Sequence, residues 1–322
     1  MRFILCTFFI FLLSGCQTFI AYQVTKPVQE ISFDGPDNQM LSDAYKGFPT
    51  KICKTKQHCL TFRTFSNNDL KKYFGKGQEF RLYFELNSKD VIETFNTTLT
   101  SINGTKKVHD SVIVLFPGHG VNSMIYSIQA RWLSHFTGKD VIVMPASNQY
   151  QEFKFGLNSL DVLIHYLSNS QYKQIDILSY SMGSIAAIQL AENISNINQQ
   201  IMIAPMVNFD SALMSVAKSY QPTLSLFVRD DDFKNAAENV ISDSGIDKSQ
   251  LDLNALLTNK KPAYRTRTIL YVSNGDTVSP AYYWQALQNE SVSVVHYSNL
   301  NHVRMVSLIN QAMRNEVLHR LM

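Results

Sequence analysis

Largely apolar runs of four to six residues recur along the second two thirds of the chain, each closed by turn-forming residues. Ser111–Phe116 stops at Pro117-Gly118, and Val141–Met144 stops at Pro145. Ile175–Leu178, Gln200–Ala204, Thr268–Val272 and Val292–Tyr297 continue the series. Runs this short, apolar rather than alternating, are how strands buried on both faces of a parallel sheet read. Helical periods lie between them. Ser123–Phe136 places Ile125, Ile128, Trp132, Leu133 and Phe136 on one face, and Leu157–Leu167 does so with Leu160, Leu163, Ile164 and Leu167. Gly183–Ile194, Ala281–Gln288 and Met305–Met322 are the other expected helices. Such alternation implies right-handed crossovers and an α/β fold, a mostly parallel sheet flanked by helices. Glu79–Leu86 has strand composition, with Val91–Leu99 as its expected partner. Residues 206–263 interrupt the rhythm with helix-like pieces at Asp210–Lys218, Asp232–Ile241 and Lys248–Leu257. A crossover needs far fewer residues, so a helical lid insertion over the strand ends is expected.

The 322 residues are 45% hydrophobic and 17% charged, enough for a full core and unlike disordered or low-complexity chains. A formal net charge of +3 gives no reason to expect nucleic-acid binding. The start of the chain changes the picture more. Arg2 precedes an apolar run, Phe3–Leu13, which as a helix spans roughly half a bilayer core. It reads as the core of an export signal rather than a membrane span. It ends in Leu13-Ser14-Gly15-Cys16, which resembles the lipobox of bacterial lipoproteins. That resemblance implies cleavage before Cys16, acylation of Cys16 and a lipid-anchored place in the bacterial cell envelope. Gln17 rather than Asp after the cysteine implies the outer membrane. Residues 1–15 are then a signal peptide, 16–75 a tether and N-terminal extension, and 76–322 the folded domain with its lid at 206–263. Of four cysteines, Cys53 and Cys59 remain. Outside the cytoplasm they are expected to form a small-loop disulfide, the alternative being a partial metal shell with His58.

Chemistry is sought at the carboxyl ends of the strands, where ligands of such sheets bind. After Ile175–Leu178 comes Ser179-Tyr180-Ser181-Met182-Gly183, then an apolar helix. A sharp strand-to-helix turn with small flanking residues lifts the apical side chain, Ser181, clear of the backbone. A serine needs a base to take its proton. Asp276 follows the strand Thr268–Val272 and His302 follows Val292–Tyr297, in the order Ser, Asp, His. His302 is the expected base and Asp276 the carboxylate that orients it. Backbone donors for an oxyanion are expected at Met182 and at Val121, with Gly120 as the near alternative. The run Arg229-Asp230-Asp231-Asp232 reads as the charged start of a helix, with a metal site as the alternative.

The motifs PGHG (Pro117–Gly120), SYSMG (Ser179–Gly183), NGDTVSP (Asn274–Pro280) and LNHV (Leu300–Val303) together resemble the alpha/beta-hydrolase superfamily. The resemblance runs from about residue 80 to 321, and is nearest to the group of monoacylglycerol lipases, lysophospholipases and serine aminopeptidases. The first small residue of the elbow is Ser179 where the pattern has Gly, and the turn after Val141–Met144 lacks the relatives' Asp-x-x-Gly. The resemblance implies an acyl-enzyme mechanism without metal or organic cofactor, acting on a small-molecule or lipid acyl substrate. The expected substrate is an apolar carboxylic ester such as a lysophospholipid or monoacylglycerol. A thioesterase, a serine peptidase and a non-catalytic ligand-binding lipoprotein are the alternatives.

Overall fold

The structure, a computed structural model, describes residues 17–26, 46–66, 79–88, 91–100, 103–120, 123–220, 228–258 and 266–322. Ten strands lie among them: β1 (Phe48–Cys53), β2 (Cys59–Phe65), β3 (Glu79–Ser88), β4 (Val91–Thr100), β5 (Ser111–Phe116), β6 (Asp140–Val143), β7 (Gln174–Tyr180), β8 (Ile197–Ile203), β9 (Arg267–Ser273) and β10 (Val292–Tyr297). Eight form one sheet in the order β1-β2-β6-β5-β7-β8-β9-β10. Neighbours from β6 to β10 are parallel, while β2 joins β6 antiparallel through Phe65↔Val141.

Both faces of the sheet are covered, because alternate residues of each strand point opposite ways. Ile113 and Leu115 of β5 pack with Trp132 and Leu133 of α1 (Ser123–Thr137) and with Met313, Val317 and Leu321 of α8 (Gln311–Leu321). Val112, Val114 and Phe116 face Leu163 and Leu167 of α2 (Leu160–Ser168) and Ala187 and Leu190 of α3 (Gly183–Asn193). The β3–β4 hairpin stands outside the sheet. Its Phe80, Leu82, Phe95 and Leu99 join the α1–α8 layer, with the Arg314 guanidinium 4.4 Å from the centre of the Phe95 ring. Between β8 and β9 lie α4 (Phe209–Tyr220), α5 (Asp230–Ser244) and α6 (Leu253–Thr258), the helices expected of a lid. Their inner residues Phe209, Ala212, Ala237 and Leu253 share a core with Phe153, Phe155 and Trp284.

Several sequence expectations are corrected. The 16–75 segment is not only tether and extension: β1 and β2 extend the main sheet, so the folded domain begins before residue 76. Leu60, Phe62 and Phe65 are buried there, apolar surface that a free extension would leave in water. Residues 281–288 form two short 3₁₀ turns, Ala281–Tyr283 and Gln285–Leu287, rather than a helix. The final helix is broken into α7 (His302–Val306) and α8, because Leu308 has φ 51° and Asn310 caps α8 by accepting from the Met313 N–H. Cys53 and Cys59 form the expected disulfide. His58 does not turn to a metal with them; it contacts Asp161 at 2.8 Å. At the start of α5, Asp232 accepts from the Arg229 N–H, as a helix cap does. Cys16 lies outside the described residues.

Candidate active site

β7 ends at Tyr180 and α3 begins at Gly183, leaving two residues to reverse the chain. Ser181 takes φ 47°, the left-handed region that L residues usually avoid. The turn is pinned on both sides: the Ser181 N–H donates to Ile203 O at 3.0 Å, and the Met206 N–H donates to Ser181 O at 3.2 Å. A Cβ on Gly183 would stand 2.5 Å from Pro117 O and 2.6 Å from Phe116 O, so only glycine fits there. Ser179, at the place where the motif has Gly, is fully buried and lies 3.1 Å from Ser184 Oγ. Its hydroxyl is thus satisfied inside the elbow, which is why a serine is tolerated.

His302 opens α7 after β10, with Asn301 capping that helix by accepting from the Arg304 N–H. Asp276 lies in the turn after β9. Its Oδ1 accepts the N–H groups of Val278 and Ser279, at 2.8 and 2.9 Å, which leaves Oδ2 for the imidazole. His302 Nδ1 is 2.8 Å from that Oδ2, and Nε2 is 2.9 Å from Ser181 Oγ. A carboxylate only accepts, so the partners assign the proton to Nδ1 and leave Nε2 to accept from the serine hydroxyl. Asp276 and His302 are both buried. The three side chains expected from the sequence therefore meet in one hydrogen-bonded line.

Other residues were not foreseen. Ser273 Oγ accepts from the N–H groups of both Gly275 and Leu300, tying the Asp276 turn to the His302 loop. A Cβ on Gly275 would come within 3.1 Å of the Asn299 carbonyl carbon, so the two loops are in close approach. Arg304 clamps Glu93 of β4 through Nε and Nη2 and also donates to Asn299 O. These contacts join segments far apart in the chain, and no local motif signals them.

The loop after β5 carries the proposed oxyanion donors. Gly118 donates its N–H to Tyr126 Oη at 2.9 Å, which removes it as a donor to substrate. Burial holds the Tyr126 phenol well above its usual range. His119 is 3.1 Å from Ser147 Oγ, and burial pushes its pKa down to about 4, so it is neutral at pH 7. Gly120 has φ 73° and an open surround. Val121 lies outside the described residues. Met182 is the N-cap residue of α3, and its N–H has no acceptor among the described residues. A cavity of about 360 Å³ lies beside this loop, walled by Phe62, Pro117, Val143 and Met144 together with the polar Arg63 and Gln149. Pro117 and Tyr126 adjoin Gly118, whose own Cβ would lie 3.3 Å from that of Ser181. Among the described residues no group of three or more His, Cys, Asp or Glu side chains is arranged to hold a metal ion.

No protein-family model matches the chain, and neither does any curated protein sequence. Solved structures do. The esterase Pf2001 of Pyrococcus furiosus aligns with a TM-score of 0.58 at 12% identity, covering 92% of this chain and 97% of the esterase. Two further crystal forms of that esterase give 0.54 at 13% identity and 0.53 at 14%, covering 92% and 93% of this chain and 98% and 97% of theirs. Identity this low speaks for architecture alone. With its mostly parallel sheet, flanking helices and helices after β8, the chain has the α/β-hydrolase fold.

Proposed function

We propose that the protein is a serine hydrolase that cleaves carboxylic esters through an acyl-enzyme on Ser181. The observation that carries this reading is the line Ser181–His302–Asp276, at 2.9 and 2.8 Å, on a serine of positive φ. His302 takes the hydroxyl proton as Ser181 attacks the carbonyl carbon, and Asp276 stabilises the imidazolium that forms. The negative charge on the carbonyl oxygen is received by the Met182 N–H at the N-terminus of α3 and by the N–H of Gly120 or Val121. His302 returns the proton to the leaving alcohol. Water then repeats the sequence and releases the acid. No step requires a metal or organic cofactor.

The substrate we infer is an apolar acyl ester, such as a lysophospholipid or monoacylglycerol. The apolar side of the cavity beside the loop after β5, made by Phe62, Pro117, Val143 and Met144, supports that class. The fold neighbour from Pyrococcus furiosus is named an esterase, which agrees with ester chemistry. The sequence at Leu13–Cys16 supports a lipid anchor at Cys16 and a place in a bacterial outer membrane. A fluorophosphonate probe tests the mechanism: the wild type is labelled, and Ser181→Ala is not, at unchanged thermal stability. Absence of Ser181-dependent labelling in folded protein overturns the enzyme reading. Nitrophenyl esters of increasing chain length test the substrate class. Rates that rise from acetate to longer acyl groups are expected; a flat profile removes the lipid assignment.

A further inference from the structure

The first residues after Cys16 do not trail away from the fold. Residues 17–25 are helical, and Ile20 is 4% exposed in a cluster with Ala217 of α4 and Val228, Phe233 and Ala236 of the α5 segment. Ala21 and Val24 pack against the core beneath the lid. Gln17 Nε2 donates to Oδ1 of Asp232, the residue that caps α5. At 100° per residue, Ile20, Ala21 and Val24 share the inward face, which leaves Phe19 and Tyr22 on the opposite one. Both are exposed, 51% and 60%. Gln23 is exposed as well, and Lys26, at the bend that ends the helix, donates through Nζ to Gln23 Oε1. Val216 of α4 is 40% exposed and precedes Ala217, which closes over Ile20.

This helix is continuous with the roof of the site. α4 begins three residues after Met206, whose N–H holds the Ser181 carbonyl. At its other end, Ser219 Oγ is 3.0 Å from Thr277 Oγ1, beside Asp276. The segment next to Cys16, α4 and the turns that carry Ser181 and Asp276 thus form one connected run of contacts.

We propose that Phe19, Tyr22 and Val216 form the surface that enters the membrane interface, so that the lid and the site beneath it face the phospholipid bilayer. The inference rests on the reading of Cys16 as lipidated. Gln17 is covalently next to Cys16, so acyl chains on that cysteine fix the first turn of the helix at headgroup depth. Because that turn is docked on α5, no free tether lets another face of the protein turn to the membrane. Aromatic side chains with a nearby lysine suit this depth, where rings sit among headgroups and an ammonium reaches water. A lipid ester then reaches Ser181 from the interface along α4 without crossing bulk water.

The test uses the lipidated full-length protein on vesicles of phosphatidylethanolamine and phosphatidylglycerol with brominated acyl chains. Tryptophan is placed by Tyr22→Trp, Val216→Trp and, as a control, Lys173→Trp, whose side chain is 82% exposed in the loop that leads into β7, at its amino end. The native Trp132 and Trp284 are buried, and the wild type supplies their background. Flotation reads anchoring, and quenching reads orientation. Quenching at 22 and 216 about threefold or more above that at 173 is expected. Protein that floats with equal quenching at all three positions, or strongest at 173, overturns the orientation. Protein that does not float removes the anchor on which it rests. The hydrolase reading is scored separately, by fluorophosphonate labelling in detergent.

Discussion

Ser181 holds a backbone conformation that costs a non-glycine residue on the order of 1 kcal/mol, so its neighbours must enforce it. Gly183 is one of them. Gly183→Ala sets a methyl against two backbone carbonyl oxygens, which have no soft way to move. A loss of about 2–4 kcal/mol in urea unfolding is expected, with fluorophosphonate labelling abolished or strongly slowed. Asp276→Asn tests the carboxylate. Because Oδ1 accepts two backbone N–H groups, the amide must place its oxygen there and turn its NH₂ toward His302 Nδ1. The imidazole proton is then forced to Nε2, where it cannot accept from Ser181. Under the proposed mechanism kcat falls roughly 10³–10⁴-fold with little change in KM, measured on a nitrophenyl ester. Ser181, Asp276 and His302 were legible in the sequence because each stands just past an apolar run, in one order. Ser273 and Tyr126 were not, since their roles exist only after distant loops meet.

At the scale of elements, buried strands announced themselves and edge strands did not. β1 and β2 are half exposed, and the polar Lys54–His58 turn dilutes the alternation of Leu60, Thr61 and Phe62. The break between α7 and α8 was hidden by apolar positions that continue at helical spacing across it. Only Asn310, whose side chain competes for backbone N–H groups, marks the new start. The Cys53–Cys59 disulfide closes the β1–β2 turn, which Lys54 and His58 also tie to Asp161 of α2. For so short a loop, the double variant Cys53→Ser with Cys59→Ser is expected to lose about 2 kcal/mol while keeping its fluorophosphonate labelling. The clamp of Arg304 on Glu93 ties the β3–β4 hairpin to the helix that begins with His302. Arg304→Ala frees that helix to shift, and kcat is expected to fall roughly tenfold or more, with KM for a short ester nearly unchanged. An equal loss in Glu93→Gln, and no further loss in the double variant, identifies the clamp as the cause.

For the whole molecule, strand–helix alternation made the sheet legible, while the hairpin outside it and the N-terminal helix on the lid depend on contacts that periodicity does not encode. Burial also sets the response to acid. His119 and His135 are both pushed from 6.5 down to about 4, His119 by burial and His135 by burial with Arg131 adding to it. Each is neutral in the folded protein, with Ser147 Oγ 3.1 Å from His119 and Asn103 Oδ1 2.7 Å from His135. Above pH 6.5 neither state binds a proton at these positions, and stability does not depend on them. As pH falls through that value, the unfolded chain takes up two protons that the folded chain refuses, so the equilibrium moves toward unfolding. The loss grows until the folded pKa of about 4 is reached and then levels off. It amounts to about 3 kcal/mol for each histidine, and most of it falls above the ordinary carboxylate range. Urea midpoints measured from pH 7.5 to 4.5 should therefore decline steadily. His135→Gln should flatten about half of the slope, because an amide keeps a polar contact with Asn103 and binds no proton. A slope unchanged in that variant would mean that other groups set the acid response.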